Sequence, residues 1–153
     1  MIELDRRDRL ILKKLQQDSR ISNVDLAYAV GMSASALWRR VRALEKAGVI
    51  ERYGIVLNPS AMGQNFEAIV HVHLTRHDPE KIVEFIRAID RCAEVQECYA
   101  TTGQSDYHLR VMCKDLAAYN TFLEEFLFRL SAVASAQTNV VLRTIKRDHP
   151  VEA

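Results

Sequence analysis

The 153-residue sequence predicts an α+β protein in two modules, three short helices followed by a βαββαβ unit. Three observations carry that expectation. Apolar residues recur at helical spacing through the first third of the chain, interrupted at Gly31 and Gly48. From residue 67 onward, stretches of strict alternation trade places with helical ones. The charge is also divided. Residues 1–52 hold 11 Lys plus Arg against 7 Asp plus Glu, whereas residues 53–153 hold 10 against 13, so the net charge of +1 joins a basic module to a slightly acidic one. The predicted division is 1–52, a connecting strand and linker over 53–65 punctuated by Pro59 and Gly63, and 66–153. A basic first module points to a polyanionic partner.

Asp5 and Asp8 precede the stripe Leu10, Ile11, Leu12 and Leu15, so a helix is expected over 5–17, its carboxylates at the positive end of the helix dipole. Val24, Leu26, Ala27 and Val30 predict a short second helix from Asn23, stopped by Gly31, which tolerates positive φ. Ser33 caps a third, where Leu37, Val41 and Leu44 recur at i, i+4 and i+7 before Gly48. Short helix, glycine turn and longer helix make the helix-turn-helix plan, here of winged-helix-like type. Opposite the apolar stripe of the third helix lie Ser35, Arg39, Arg42 and Lys46, flanked by Arg40 and Trp38, with Ser33 at its start. Charges alone would describe an ordinary solvated face. On the third helix of such a plan they suit a major groove of double-stranded DNA, where guanidinium groups meet guanine N7 and O6 or phosphate oxygens. Trp38 is expected to pack between helices.

In the second module, residues 67–74 alternate, with Ala68, Val70, Val72 and Leu74 on one face of a strand and Ile69, His71 and His73 on the other. Pro79 opens a helix carrying Ile82, Val83, Phe85, Ile86 and Ile89. Strands are expected over 95–101 and 107–113, joined by a hairpin at 102–106 whose Gly103 can take positive φ. A helix starting at Asp115 and carrying Leu116, Tyr119, Phe122, Leu123, Phe126 and Leu127, and a fourth strand over 137–145, complete the order βαββαβ, a ferredoxin-like sandwich. Two helices cover one sheet face. The other, with Ile69, His71 and His73, calls for a second copy of the chain, and a two-fold dimer would also present two third helices to a pseudo-palindromic site.

Several classes are set aside on residues alone. No apolar run approaches the ~20 residues of a membrane span, and the charged start is unlike a signal peptide, so a cytoplasmic location is expected. Cys92, Cys98 and Cys113 form no CxxC pair and are expected as buried free thiols. His71 and His73, with His77 and His108 elsewhere, fix no third ligand, and no metal or cofactor is expected. Without a P-loop, a nucleophile elbow or HExxH, no catalytic centre is identified, and the chain is not expected to be an enzyme.

Leu4, Asp5, Asp8, Ile11, Leu12, Leu15, the run Arg20-Ile21-Ser22, Asp25-Leu26-Ala27, Gly31-Met32-Ser33 and the stretch from Leu37 to Ile50 fall into one pattern. It resembles the Lrp/AsnC family of transcriptional regulators, departing at Ala34 and Ala36, where many members carry prolines. The second half is similar to that family's effector domain in the segments 98–107 and 138–146, so the resemblance covers roughly residues 3–147. It implies a free amino acid as effector, bound between dimers near the hairpin Gly103 to Asp106. It also implies assembly of dimers into larger rings, commonly octamers. Gly103 would let backbone N–H groups approach a carboxylate, and Asp106 would accept from an α-ammonium group. Thr101, Thr102, Gln104 and Thr138 are the hydrogen-bonding candidates beside them, and Tyr99 a candidate wall. Gln104 and Ser105 stand where many members have an acidic and an aromatic residue. The resulting expectation is a sequence-specific regulator of amino-acid metabolism or transport, gated by a free amino acid. The alternative is an architectural DNA-binding protein of the same fold that ignores small ligands.

Overall fold

A computed structural model describes residues 3–75 and 78–147. The chain divides into two compact units, one holding the residues through Val56 together with Lys146 and Arg147, the other Leu57–Ile145.

In the first unit, α1 (Arg6–Gln17) starts on a capping box in which Asp5 accepts from the N–H groups of Arg7 and Asp8, while Asp8 accepts from the N–H of Asp5. Helices α2 (Asn23–Ala29) and α3 (Ala34–Lys46) begin on the hydroxyls of Ser22 and Ser33. Both end in the same way. Met32 N–H reaches Ala27 O and Gly31 N–H reaches Tyr28 O, with Gly31 at φ 64°; Val49 and Gly48 repeat the pair on Leu44 and Glu45. These Schellman closures turn the chain sharply without leaving the last carbonyls unpaired. Ile11, Leu12, Leu26, Leu37 and Leu44 are buried together, each such side chain contributing about 1.5–3 kcal/mol. The strand expected within 53–65 is not formed among the described residues. A strand needs a neighbour to pair with, and Tyr53, Ile55, Val56 and Leu57 instead run exposed toward a single 3₁₀ turn at Ser60–Met62.

The second unit is an antiparallel sheet whose strands lie in the spatial order Val95–Ala100 (β2), Tyr107–Cys113 (β3), Phe66–Leu74 (β1) and Val133–Val140 (β4). Its elements are β1 (Phe66–Leu74), α4 (Pro79–Arg91), β2 (Val95–Ala100), β3 (Tyr107–Cys113), α5 (Leu116–Thr121) and β4 (Val133–Val140). Ala68, Val70, Val72 and Leu74 of β1 meet Leu109 and Val111 of β3 under Phe85 and Ile89 of α4 and Tyr119 of α5, so the helices cover one face as expected.

Two expectations shift. The helix from Asp115 runs through Leu127 as expected, but not as α-helix throughout: after α5 a π turn over Phe122–Phe126 widens it and a 3₁₀ turn ends it at Arg129. Widening brings Phe122 and Leu127, five residues apart, onto the core side, with Phe126 against Phe122 at 5.5 Å. The fourth strand, expected over 137–145, begins four residues earlier and ends five residues earlier. Its first half, Val133 to Ala136, is rich in Ala and Ser and gives little strand signal. Its end lies close to the end of its partner: Val140 pairs with Ala68 and Val141 N–H still reaches Glu67 O, beyond which only Phe66 remains of β1.

Candidate functional site

Helix α3 presents two faces of different character. Leu37 and Leu44 are buried, while Ser33, Ser35, Arg39, Arg42 and Lys46 are exposed. Among the described residues neither Arg39 nor Lys46 has a hydrogen bond or ion pair, so both cations stand free on the surface. Ser33 is committed to the cap, accepting from Ala36 N–H at 3.3 Å, and its hydroxyl lies 3.3 Å from that of Ser35. Arg42 is 64% exposed, its guanidinium over the Trp38 ring at 5.6 Å and 3.1 Å from Glu45, which also accepts from the Tyr53 hydroxyl.

Arg40 differs from its neighbours. Its Nη1 donates to Asp5 at 2.7 Å and Asp8 at 2.8 Å, tying α3 to the capping box of α1. The N–H of Asp8, and then Arg40, hold the Asp5 carboxyl below the usual carboxylate range. The structure thus gives Arg40, expected among the DNA-facing residues, an intramolecular role. Trp38 moves the other way: expected to pack between helices, it is 53% exposed and lies outside the apolar cluster of its unit. Its position on α3, between Ser35 and Arg42 along one ridge, turns it away from the stripe of Leu37 and Leu44.

The β2–β3 hairpin is closed by its own backbone. Thr101 N–H donates to Asp106 O at 3.1 Å, and the Thr101 hydroxyl donates to Ser105 O at 3.2 Å. Gly103 takes φ 128°, a conformation side chains disfavour. Asp106 staples the loop to β1: its N–H donates to Val72 O at 3.0 Å, and its Oδ2 accepts from Leu74 N–H at 2.8 Å. Ser105 lies 3.4 Å from His73, while Thr102, Gly103 and Gln104 form an exposed tip.

The remaining two effector candidates stand apart from this loop and from each other. Thr138 points into the helix layer, its hydroxyl 2.5 Å from that of Tyr119. Tyr99 lies opposite His108 on the other sheet face and donates to Glu97 at 2.9 Å. Side chains alternate across a strand, so residues on opposite faces cannot line one pocket within a single chain.

That open face carries an ordered network which single-strand patterns do not reveal. Arg110 donates to Glu67 at 2.7 Å and Glu97 at 2.8 Å, joining three strands. His71 and His108, cross-strand partners, meet Nδ1 to Nδ1 at 2.7 Å, and His71 Nε2 lies 3.0 Å from Asn139. One imidazole must donate and the other accept. His77 lies outside the described residues, and among those described no group of three or more His, Cys, Asp or Glu could hold a metal ion. Of the thiols, Cys113 is buried and Cys92 half-buried, but Cys98 is exposed because β2 is an edge strand. Burial pushes the Cys92 thiol up to about 11.

A helix-turn-helix with a free cationic face, followed by a one-sided sheet with a closed, polar hairpin, has the make-up of a DNA-binding regulator that carries a separate ligand-binding domain. Comparison with known proteins agrees. A winged helix-turn-helix DNA-binding model matches residues 4–51, and the Lrp/AsnC ligand binding domain matches 67–151. The leucine-responsive regulatory protein of Escherichia coli is 39% identical over 147 residues, 96% of this chain and 90% of that protein. Among solved structures, a transcriptional regulator of Neisseria meningitidis in complex with L-Met has a TM-score of 0.90 at 32% identity, covering 95% of this chain and 94% of that one. The feast or famine regulatory protein of M. tuberculosis, complexed with L-methionine, has a TM-score of 0.88 at 28% identity, covering 99% and 100%. This chain belongs to the Lrp/AsnC family, whose members are transcription regulators and not enzymes. Among the described residues no helix is long and apolar enough to cross a membrane.

Proposed function

We propose that this chain is a sequence-specific regulator of amino-acid metabolism or transport, acting in the cytoplasm, whose hold on double-stranded DNA is modulated by a free amino acid bound between dimers. The observation that carries the DNA half is the free cationic face of α3. Arg39, Arg42 and Lys46 are exposed with Ser33 and Ser35 beside them, and Arg39 and Lys46 have no intramolecular partner among the described residues to be displaced. Arg39 and Arg42 are assigned to base or phosphate contact, and Lys46 to the backbone. Arg40 acts indirectly, by fixing α1 against α3.

For the ligand half, the hairpin supplies the groups an amino acid needs. The backbone around Gly103, with Thr102 and Gln104, would receive the carboxylate. Asp106 and Thr101 sit at the base of the loop. Two relatives of this chain are complexed with L-methionine and another is named leucine-responsive, which makes sulfur-containing and branched amino acids the first effectors to try. Tyr99 and Thr138 lie on opposite sheet faces, so they can join one ligand site only if a neighbouring copy contributes to it. The open sheet face, with Ile69, His71, His73 and the Arg110 network, is assigned to dimerisation, and dimers to assembly as octamers.

One observation favours a second reading, a ligand-independent architectural protein of the same fold: Asp106 already accepts from Leu74 N–H. A thermal-shift panel of free amino acids separates the two. A ligand at ~100 times its Kd stabilises by about 2.7 kcal/mol, and a selective rise supports gating. No rise with any amino acid leaves the architectural reading.

A further inference from the structure

The only tryptophan of the chain is held on the surface of the helix assigned to DNA. Trp38 is 53% exposed and packs neither in the apolar cluster of its unit nor against that cluster's margin. It is the fifth residue of α3, in the half of the helix that reaches base edges in helix-turn-helix complexes. Side chains on a helix lean toward its N-terminus, which carries the indole toward Ser35 and the exposed helix start. On its other side Arg42 lies over the ring at 5.6 Å and is held a second time by Glu45 at 3.1 Å. Indole and guanidinium thus form one surface, a broad apolar plate beside a fork of donors.

We infer that Trp38 is a specificity-determining residue for DNA, its indole making apolar contact with the C5-methyl of a thymine while Arg42, propped on its face, is aimed at the neighbouring base or phosphate. In the major groove thymine alone among the four bases offers a methyl group, and side chains recognise it by apolar contact. A cation–π contact limits the ways the Arg42 side chain can point before DNA arrives. The inference rests on the proposal that α3 faces DNA.

The test is in vitro selection with the full-length wild type, Trp38→Ala and Trp38→Phe from one random duplex library, followed by binding to the selected duplex with each thymine replaced in turn by deoxyuridine. Wild type is expected to lose about fourfold at one thymine per half-site, the transfer value of one buried methyl. Trp38→Ala is expected to be indifferent to that replacement and to lose the T·A preference, while Trp38→Phe keeps it in part. Exposure at the surface predicts that both variants keep the wild-type circular dichroism. Arg39→Ala is run in parallel. If Arg39→Ala binds as wild type does, the DNA-facing assignment of α3 falls and Trp38 with it; if wild type selects no sequence, no base is being specified and the inference about Trp38 is overturned. If Arg39→Ala binds weakly but Trp38→Ala selects the wild-type sequence with unchanged deoxyuridine sensitivity, the inference about Trp38 alone is overturned. A Trp38→Ala protein with altered oligomeric state and unchanged base preference overturns it too, by placing the indole between protein chains.

Discussion

Removing the Asp106 carboxylate should weaken the second unit by an amount its hydrogen bonds define. Asp106 Oδ2 accepts from Leu74 N–H at 2.8 Å, just past the register shift between His73 and Leu74, where the β1–β4 ladder is irregular. Leu74 itself is buried, 7% exposed. A hydrogen bond to a charged group is worth about 1.5–3 kcal/mol, and a buried N–H left without its partner costs about as much. Asp106→Ala is therefore expected to lose about 2 kcal/mol in the second unit. For a domain of that size this lowers Tm by on the order of 10 °C. Asp106→Asn keeps a carbonyl to accept the bond and should lose about half as much or less. Urea unfolding followed by circular dichroism, read on the transition of the second unit, makes the comparison. An Asp106→Ala protein within about 0.5 kcal/mol of wild type would falsify the staple, being no more than a surface substitution costs. An Asp106→Asn protein as unstable as the alanine variant would equally show that the acceptor is not what matters. The pair also separates stability from ligand contact. If Asp106→Asn folds normally yet no longer shifts with an amino acid, the negative charge is meeting the ligand.

Other consequences follow from neighbouring side chains. Arg39→Ala should leave unfolding unchanged but weaken DNA binding by about 1–3 kcal/mol for a base contact, or reduce the salt slope by about one for a phosphate contact; anisotropy at several salt concentrations distinguishes them. Because the Asp5 carboxyl is lowered in the folded chain, its stabilisation is complete above about pH 4 and is lost as pH falls through the folded value. Arg40→Ala should move the acid unfolding of the first unit to higher pH, measured by circular dichroism on descending titration. Leu37, fully buried, should cost about 2–5 kcal/mol when replaced by alanine, seen as early urea unfolding of the first unit. With its pKa near 11, Cys92 should alkylate at pH 8 about a hundredfold more slowly than a free thiol, as mass spectrometry of iodoacetamide-treated protein can show.

What the sequence made legible is what local physics decides. Asp5 and Asp8, Ser33, Gly31 and Gly48 each stand at a helix end that only such residues serve well, and the caps and Schellman turns form on them. Val70 and Val72 alternate with His71 on a strand covered on one side, and period two assigns their faces. Illegible parts depend on partners distant in the chain. Arg40 looks like any cation of α3 until Asp5 and Asp8, more than thirty residues away, are placed beside it. Glu67, Glu97 and Arg110 become a network only through strand register. Thr138 carries no mark of its bond to Tyr119, and the strand that holds it starts in an alanine-rich stretch whose pairing, not propensity, makes it β. The hairpin was readable as a turn from Gly103, whereas the inward bond of Asp106 to Leu74 was not.

The most direct test of amino-acid gating is a DNA-binding isotherm of the full-length protein on its selected duplex, measured with and without each free amino acid at saturating concentration. Gating predicts that at least one amino acid changes the DNA affinity by about 5- to 150-fold, and that DNA changes the affinity for that amino acid by the same factor, since coupling is reciprocal. Superimposable isotherms with every amino acid would contradict it and leave a DNA-binding protein of this fold without a small-molecule input.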